Sequence, residues 1–430
     1  MKSFKPNIRL RGSSLLYSLM ISLLVSALLT AYLMADFSLR GLVMEQYAHG
    51  RANDNLRSAM TVAMSTLKYQ EAQDFDWINK SDSMHASFAN WGVFKLIHAS
   101  GSYLNHRSGL SALLGQKVAK DREALVLSDE GYPLVLQGST QIRGKVKVPK
   151  GLIQTDRYLG QGFSGSMPDH RLIETSQKLH TANFPSVPSE IQWLLDSLSR
   201  VTQDGLLILN EEIHHAWTEP TLRIKTAGVL KLREGNYKGK VIFLATEAIE
   251  VFAEAKLEDV ILIAPKIKLH TGLRGRFQVF ASDTLLLSDD VQLHFPSLLA
   301  LSARPNHPAY LGVGTRCRIE GAVLYNQPIF STTPSDLRPQ VYIAQESKIY
   351  GTLHVAGNLE LHGVVGGMVI AKGFVLRTAV GIVRNHLLNT RLIVDRLAPA
   401  YAGPFFLSKG EVEVLQIYPD EKEKITFARQ

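Results

Sequence analysis

The chain has 430 residues, 45% of them hydrophobic and 20% charged, with a formal net charge of +8 and a single cysteine. That apolar fraction excludes a wholly disordered chain, and the length allows two or three domains or one long repetitive one. One cysteine, Cys317, excludes an intramolecular disulfide and a cysteine-based zinc cluster, so burial alone must hold the fold.

The first segment, residues 1–12, is a basic leader containing Lys2, Lys5, Arg9 and Arg11. Half of the excess positive charge therefore sits at the N-terminus. The rest is dispersed, which reads as a solvated surface and predicts no nucleic-acid partner. Residues 13–35 (SSLLYSLMISLLVSALLTAYLMA) carry no charge. As a helix rising about 1.5 Å per residue they span a hydrocarbon core of roughly 30 Å, with membrane lipid as the partner. Cations before the span predict a cytoplasmic N-terminus and export of everything after Asp36. The span is longer than a signal-peptide core, and Leu33-Met34-Ala35 is a poor cleavage site, so an uncleaved single-pass anchor is expected.

Helical spacing continues through residues 36–71, where Leu39, Leu42, Val43, Tyr47, Leu56, Met60, Ala63 and Leu67 recur at three- and four-residue steps. This reads as a juxtamembrane amphipathic helix. A basic leader, Gly12 and a long apolar helix together resemble the class III leader of type IV pilins and pseudopilins. The resemblance implies a peptidase cut between Gly12 and Ser13 and packing of the helix into a filament core. Tyr17 stands where that family usually has Glu, an absence shared by a subset of minor pseudopilins.

Residues 72–151 read as a mixed, β-rich entry region, with one strand at Gly92–Ile97 among loops before denser strand signals from Ala124 onwards. Residues 152–215 read as an insertion with one helix over 187–203, where Ile191, Leu194, Leu195, Leu198 and Val201 share a face behind Ser186 and Pro188. Residues 216–373 carry a repeat. Val241-Ile242-Phe243-Leu244-Ala245 recurs as Val260-Ile261-Leu262-Ile263-Ala264, as Phe277-Gln278-Val279-Phe280-Ala281 and, a period later, as Leu298-Leu299-Ala300. Short strands at a period near eighteen are what one coil of a parallel β-helix requires. An antiparallel sandwich would show hairpins at 8–12-residue spacing.

A second repeat, apolar-x-Gly-x-apolar, is centred on Gly144, Gly321, Gly351 and Gly363. Glycine there suits a strand-to-strand bend. The run KIYGTLHVAGNLELHGVVGGMV at residues 348–369 resembles bactofilins, right-handed β-helices of bacteria, and the resemblance implies their fold. The expected fold is thus mainly β, a parallel β-helical solenoid with an N-terminal transmembrane helix and a small α insertion. Residues 374–430, with the segment from Tyr401, are expected to cap it.

Candidate chemistry is sparse. Asp283, Asp289 and Asp290 offer carboxylates on neighbouring turns, where a pair would act as acid and base on a glycosidic bond. Aspartate is also an ordinary turn residue, and no further motif of such a site follows. In Glu211-Glu212-Ile213-His214-His215, adjacent histidines on a strand face opposite ways, so one metal ion cannot take both. His354, His362 and His386 are scattered, and Cys317 reads as a core residue. The polar stretch 385–391 reads as a capping or docking surface. No catalytic residue, cofactor or metal is predicted. The expected role is an exported, membrane-anchored scaffold or assembly component at the bacterial inner membrane and periplasm, with protein partners or self-assembly. The alternative is a carbohydrate-binding or carbohydrate-cleaving β-helix tethered at the envelope.

Overall fold

The structure is a computed structural model that describes residues 12–69, 74–118, 121–157, 162–198, 205–305, 307–327, 337–397, 401–405 and 412–419. The chain is mainly β with one long N-terminal apolar helix, α1, Gly12–Tyr69. Two compact units are present. One comprises the chain up to Val62 with 75–86 and 99–109; the other comprises the rest. The leader up to residue 11 lies outside the described residues.

No break separates 13–35 from 36–71: α1 is one 58-residue helix. The face it buries matches the expected one in its second half, where Leu56 and Ala63 are buried, and differs in the first. Leu39, Leu42, Val43 and Tyr47 are exposed, while Ala48, Ala52, Leu56, Ala59 and Ala63 are buried. Small side chains admit a close neighbour, which large ones at those positions would hold off.

After α1 come four strands, β1 Phe75–Asn79, β2 Asp82–Trp91, β3 Phe94–Tyr103 and β4 His106–Lys117. They form a sheet in the order β1-β2-β3-β4, and Ala402–Gly403 and Val412–Pro419 both pair antiparallel with β4. This corrects the reading of one strand among loops. The connections are two residues long, and Lys80, Gly92 and Leu104 open them with φ of 50°, 61° and 52°. Left-handed lysine and leucine give none of the usual hairpin signal, which rests on Asn and Gly.

Between β4 and Ala402 the strands pair almost entirely in parallel, and most close into one hydrogen-bonded circuit, while His386–Leu388, Leu134–Gln137 and Ile153–Thr155 form a separate three-stranded sheet. The register is continuous. Phe243, Leu262, Val279, Leu299, Val323, Leu353, Val369, Leu125, Val146 and Ile173 follow one another as partners, and all but Ile173 are buried core residues. A side chain pointing into the shared interior meets only apolar neighbours, so the same residue class returns at every layer.

The neighbouring column points outward. It begins Leu244, Ile263, Phe280, Ala300 and Leu324, continues through His354 and Ile370, and ends Lys147, Glu174. Its first five members are buried in a second cluster with Trp91, Phe94, Leu96, Leu113, Trp217, Tyr418 and Ile191, Leu195 and Leu198 of helix α2, Ser189–Leu198. Burial on both faces is why Val241–Ala245 reads as an unbroken apolar run.

Several boundaries move. Parallel pairing is present before residue 216: Leu206–Leu209 pairs with Val229–Leu232, and Glu123–Leu127 and Ile173–Thr175 both pair with Lys145–Val148. Helix α2 ends at Leu198, and 199–203 of the expected helix lie outside the described residues. Ala281 pairs with Leu301, and Ala300 with Phe280, one residue off the expected alanine alignment, because a register shift follows Gly275. The glycine column runs Gly321, Gly351, Gly367, not Gly363. Glu123–Leu127 pairs with the late strand Val364–Thr378, so the segment after β4 continues the stack beyond its last sequential layer.

Candidate functional site

Three features carry functional weight: the exposed part of α1, its packed part, and the turn residues of the parallel stack. From Ser14 to Tyr47 every side chain of α1 except Asp36 is exposed. At about 1.5 Å per residue that arm is about 50 Å long, more than a hydrocarbon core of roughly 30 Å. The helix is long and apolar enough to cross a membrane, with a mean hydropathy of 2.0 over its most apolar window. Three of its hydroxyls bond back to the helix: Ser18 Oγ donates to Leu15 O at 2.9 Å, Ser22 Oγ to Leu19 O at 3.0 Å and Thr30 Oγ1 to Ser26 O at 2.8 Å. Arg40 Nε meets Asp36 Oδ2 at 2.9 Å just past the uncharged stretch. Gly12 and Ser13 begin this helix.

The packed part is a backbone-to-backbone contact. A Cβ built on Gly101 of β3 would lie 2.2 Å from Leu56 N and 2.5 Å from Ala52 O, so only glycine fits beneath the helix. A polar latch adjoins it. Asn55 Nδ2 donates to Asp82 Oδ1 at 2.8 Å and to Ser102 O at 2.9 Å, and Arg51 Nε donates to Asp82 at 3.2 Å. The Asn55 amide, then the Arg51 guanidinium, holds the Asp82 carboxyl below its ordinary range. Tyr47 meets Tyr103 edge-on at 5.9 Å, and the His49 and His106 rings lie 4.3 Å apart. This arrangement orients a helix and holds no reacting group. The Ala48/Ala52 pair at i, i+4, followed by Leu56, was the sequence signal for it.

Two of the predicted carboxylates, Asp289 and Asp290, are turn residues. Asp290 (φ 60°) makes a two-pronged pair with Arg316 of the next layer, both bonds 2.8 Å. Asp289 Oδ1 accepts from Thr315 N at 2.7 Å. Backbone donation from Thr315 lowers the Asp289 carboxyl, and the Arg316 contact lowers that of Asp290. Asp283 lies within the strand Arg274–Leu287, where its Oδ1 accepts from Thr284 Oγ1 at 3.3 Å. Asp289 and Asp290 thus serve a turn, and Asp283 lies apart from them.

In Ile213–His215 the two histidines alternate, and His215 is engaged by Pro220 O at 2.6 Å and Glu219 at 3.5 Å. Among the described residues no group of three or more His, Cys, Asp or Glu is placed to hold a metal. Cys317 lies in the core with Sγ 3.1 Å from Ser288 O, and burial raises its thiol pKa. The stretch 385–391 is not a free surface: His386–Leu388 pairs with Leu134–Gln137, and Asn389 Oδ1 accepts from Ser139 N at 2.9 Å.

No family model matches the chain, and no curated protein matches it. Among solved structures it is similar to the competence-associated pilin ComZ from Thermus thermophilus, with 8% identity, 87% of this chain and 96% of that chain covered, and a TM-score of 0.17. So low a TM-score does not establish a shared fold.

Proposed function

We propose that this chain is a membrane-anchored, non-catalytic assembly component of the pilin type, carrying a parallel β-helix as an insertion between β4 and the strand Ala402–Gly403. The observation that carries the reading is α1. One helix combines an unpacked apolar arm with an alanine-lined half seated on an antiparallel sheet through Gly101. An arm longer than a bilayer core leaves Phe37, Leu39, Leu42, Val43 and Met44 to be covered by other protein, and apolar helices of like components supply that cover. The cations Lys2, Lys5, Arg9 and Arg11 support a cytoplasmic N-terminus, with the β-rich part exported to the periplasm of a bacterial inner membrane. The in-register apolar columns support stacked coils as the form of the insertion.

Processing tests this directly. Co-expression with a class III leader peptidase should give a mature protein whose first residue is Ser13, and Gly12→Leu should abolish the cut. Retention of Met1 by the wild-type chain, read by intact mass, would leave a plain membrane anchor in place of the pilin reading.

A further inference from the structure

A different face of the parallel stack bears a second feature. The strand Tyr310–Val313 pairs with Val341–Ile343, which pairs with the end of Lys348–Leu361, so Tyr310, Tyr342 and Glu360 come from successive layers and point outward. The Tyr310 ring lies across Gly312: a Cβ there would stand 2.9 Å from the ring's Cε1 and 3.4 Å from its hydroxyl. The glycine thus makes a flat bed, and Tyr310 as a residue remains 36% exposed. Beside it Glu360 is a buried carboxylate, 3% exposed. Glu360 accepts from Arg377 Nε at 2.6 Å and lies 3.1 Å from His362 Nε2.

That contact uses the inner nitrogen of the guanidinium. The Arg377 side chain remains 53% exposed, with its head 5.2 Å over the Tyr342 ring and within electrostatic reach of Tyr310. A buried carboxylate would hold an arginine in place, but a structural pair needs no flat aromatic ring beside it.

We propose that Tyr310, Tyr342 and Arg377, braced by Glu360, form a subsite for an acidic sugar residue of a polysaccharide. A pyranose has an apolar face that stacks on a flat tyrosine, and a uronic-acid carboxylate matches the outward fork of an arginine fixed at its inner nitrogen. The site is distinct from Asp283, Asp289 and Asp290, needs no bond making or breaking, and stands independently of the processing of α1. Glu360 is a positioning residue.

Titration calorimetry of the full chain in detergent, with hexagalacturonate as probe and a neutral cellohexaose as comparison, tests it. Saturable binding of the acidic probe is expected, weakened roughly tenfold or more by Tyr310→Ala and by Arg377→Gln, and kept by Tyr310→Phe. Glu360→Gln should weaken binding while the calorimetric unfolding transition survives. No saturable binding by the wild type, equal affinity for both probes, or unchanged affinity in Tyr310→Ala and Arg377→Gln would overturn the proposal.

Discussion

His354 follows Leu324 and precedes Ile370 in the outward column of the stack, is 3% exposed, and neither ring nitrogen has a hydrogen-bond partner. Burial pushes its pKa down to about 3 from an ordinary value near 6.5, so the folded chain keeps it neutral. The unfolded chain protonates it below about 6.5, hence the folded state binds fewer protons in that window. Stability is therefore fully present above pH 6.5 and drains as pH falls towards 3, by up to about 1.4 kcal/mol per pH unit. In thermal unfolding at pH 7 and pH 4.5, His354→Leu should lose less stability than wild type, by about 2 kcal/mol; equal losses would show that the ring is not held neutral. Glycines divide just as sharply. A Cβ on Gly351 would stand 1.6 Å from Gly321 O, so Gly351→Ala should cost at least about 3 kcal/mol or prevent folding. Gly50 is helical with nothing within 4 Å of its Cβ position, and Gly50→Ala should raise stability by about 0.5–1 kcal/mol, both read from denaturant midpoints.

At the level of elements, the turns between layers hold two ion pairs in different surroundings. Arg276 Nε and Nη2 donate to Asp259 at 2.6 and 2.8 Å, and Asp259 is 3% exposed, with Trp91 Nε1 donating to its carbonyl at 2.9 Å. Asp290 and Arg316 make the same two-pronged contact with side chains 42% and 54% exposed. Removing one partner of a buried pair strands the other charge, so Asp259→Ala should destabilise by about 3 kcal/mol, and Asp290→Ala by less than about 1 kcal/mol. Comparable shifts of the two unfolding midpoints would contradict this. The parallel strands were legible in the sequence because each layer repeats the demand of one interior: Phe243, Leu262 and Val279 must all be apolar. The antiparallel strands were not. Their turns are opened by Lys80 and Leu104, and the burial pattern of β2 offers no clean alternation. The packed half of α1 was half legible, since helical spacing showed that a helix continues but large residues drew attention away from Ala48 and Ala52.

For the whole molecule, the unpacked arm makes a separable prediction. The side chains of Leu15 to Met34 are all exposed, so deleting residues 1–34 should leave the unfolding midpoint unchanged and lessen the chain's need for detergent. A fall in the midpoint would mean that the arm contributes to folded stability. The sequence by itself determined the apolar span, its basic leader and the strand-rich body, because each follows from neighbours within about twenty residues and the solvent they must meet, whereas the steps between paired strands run from 16 residues (Leu353 to Val369) to 30 (Val323 to Leu353). Only the tertiary structure decided that Leu125 sits on Val369, that Arg51 and Asn55 close on Asp82, and that Asp290 pairs with Arg316. Those pairings join residues 26 to 244 positions apart. Their partners are selected by which strand edge or charge remains open once the local pieces have formed, and no local pattern encodes that choice.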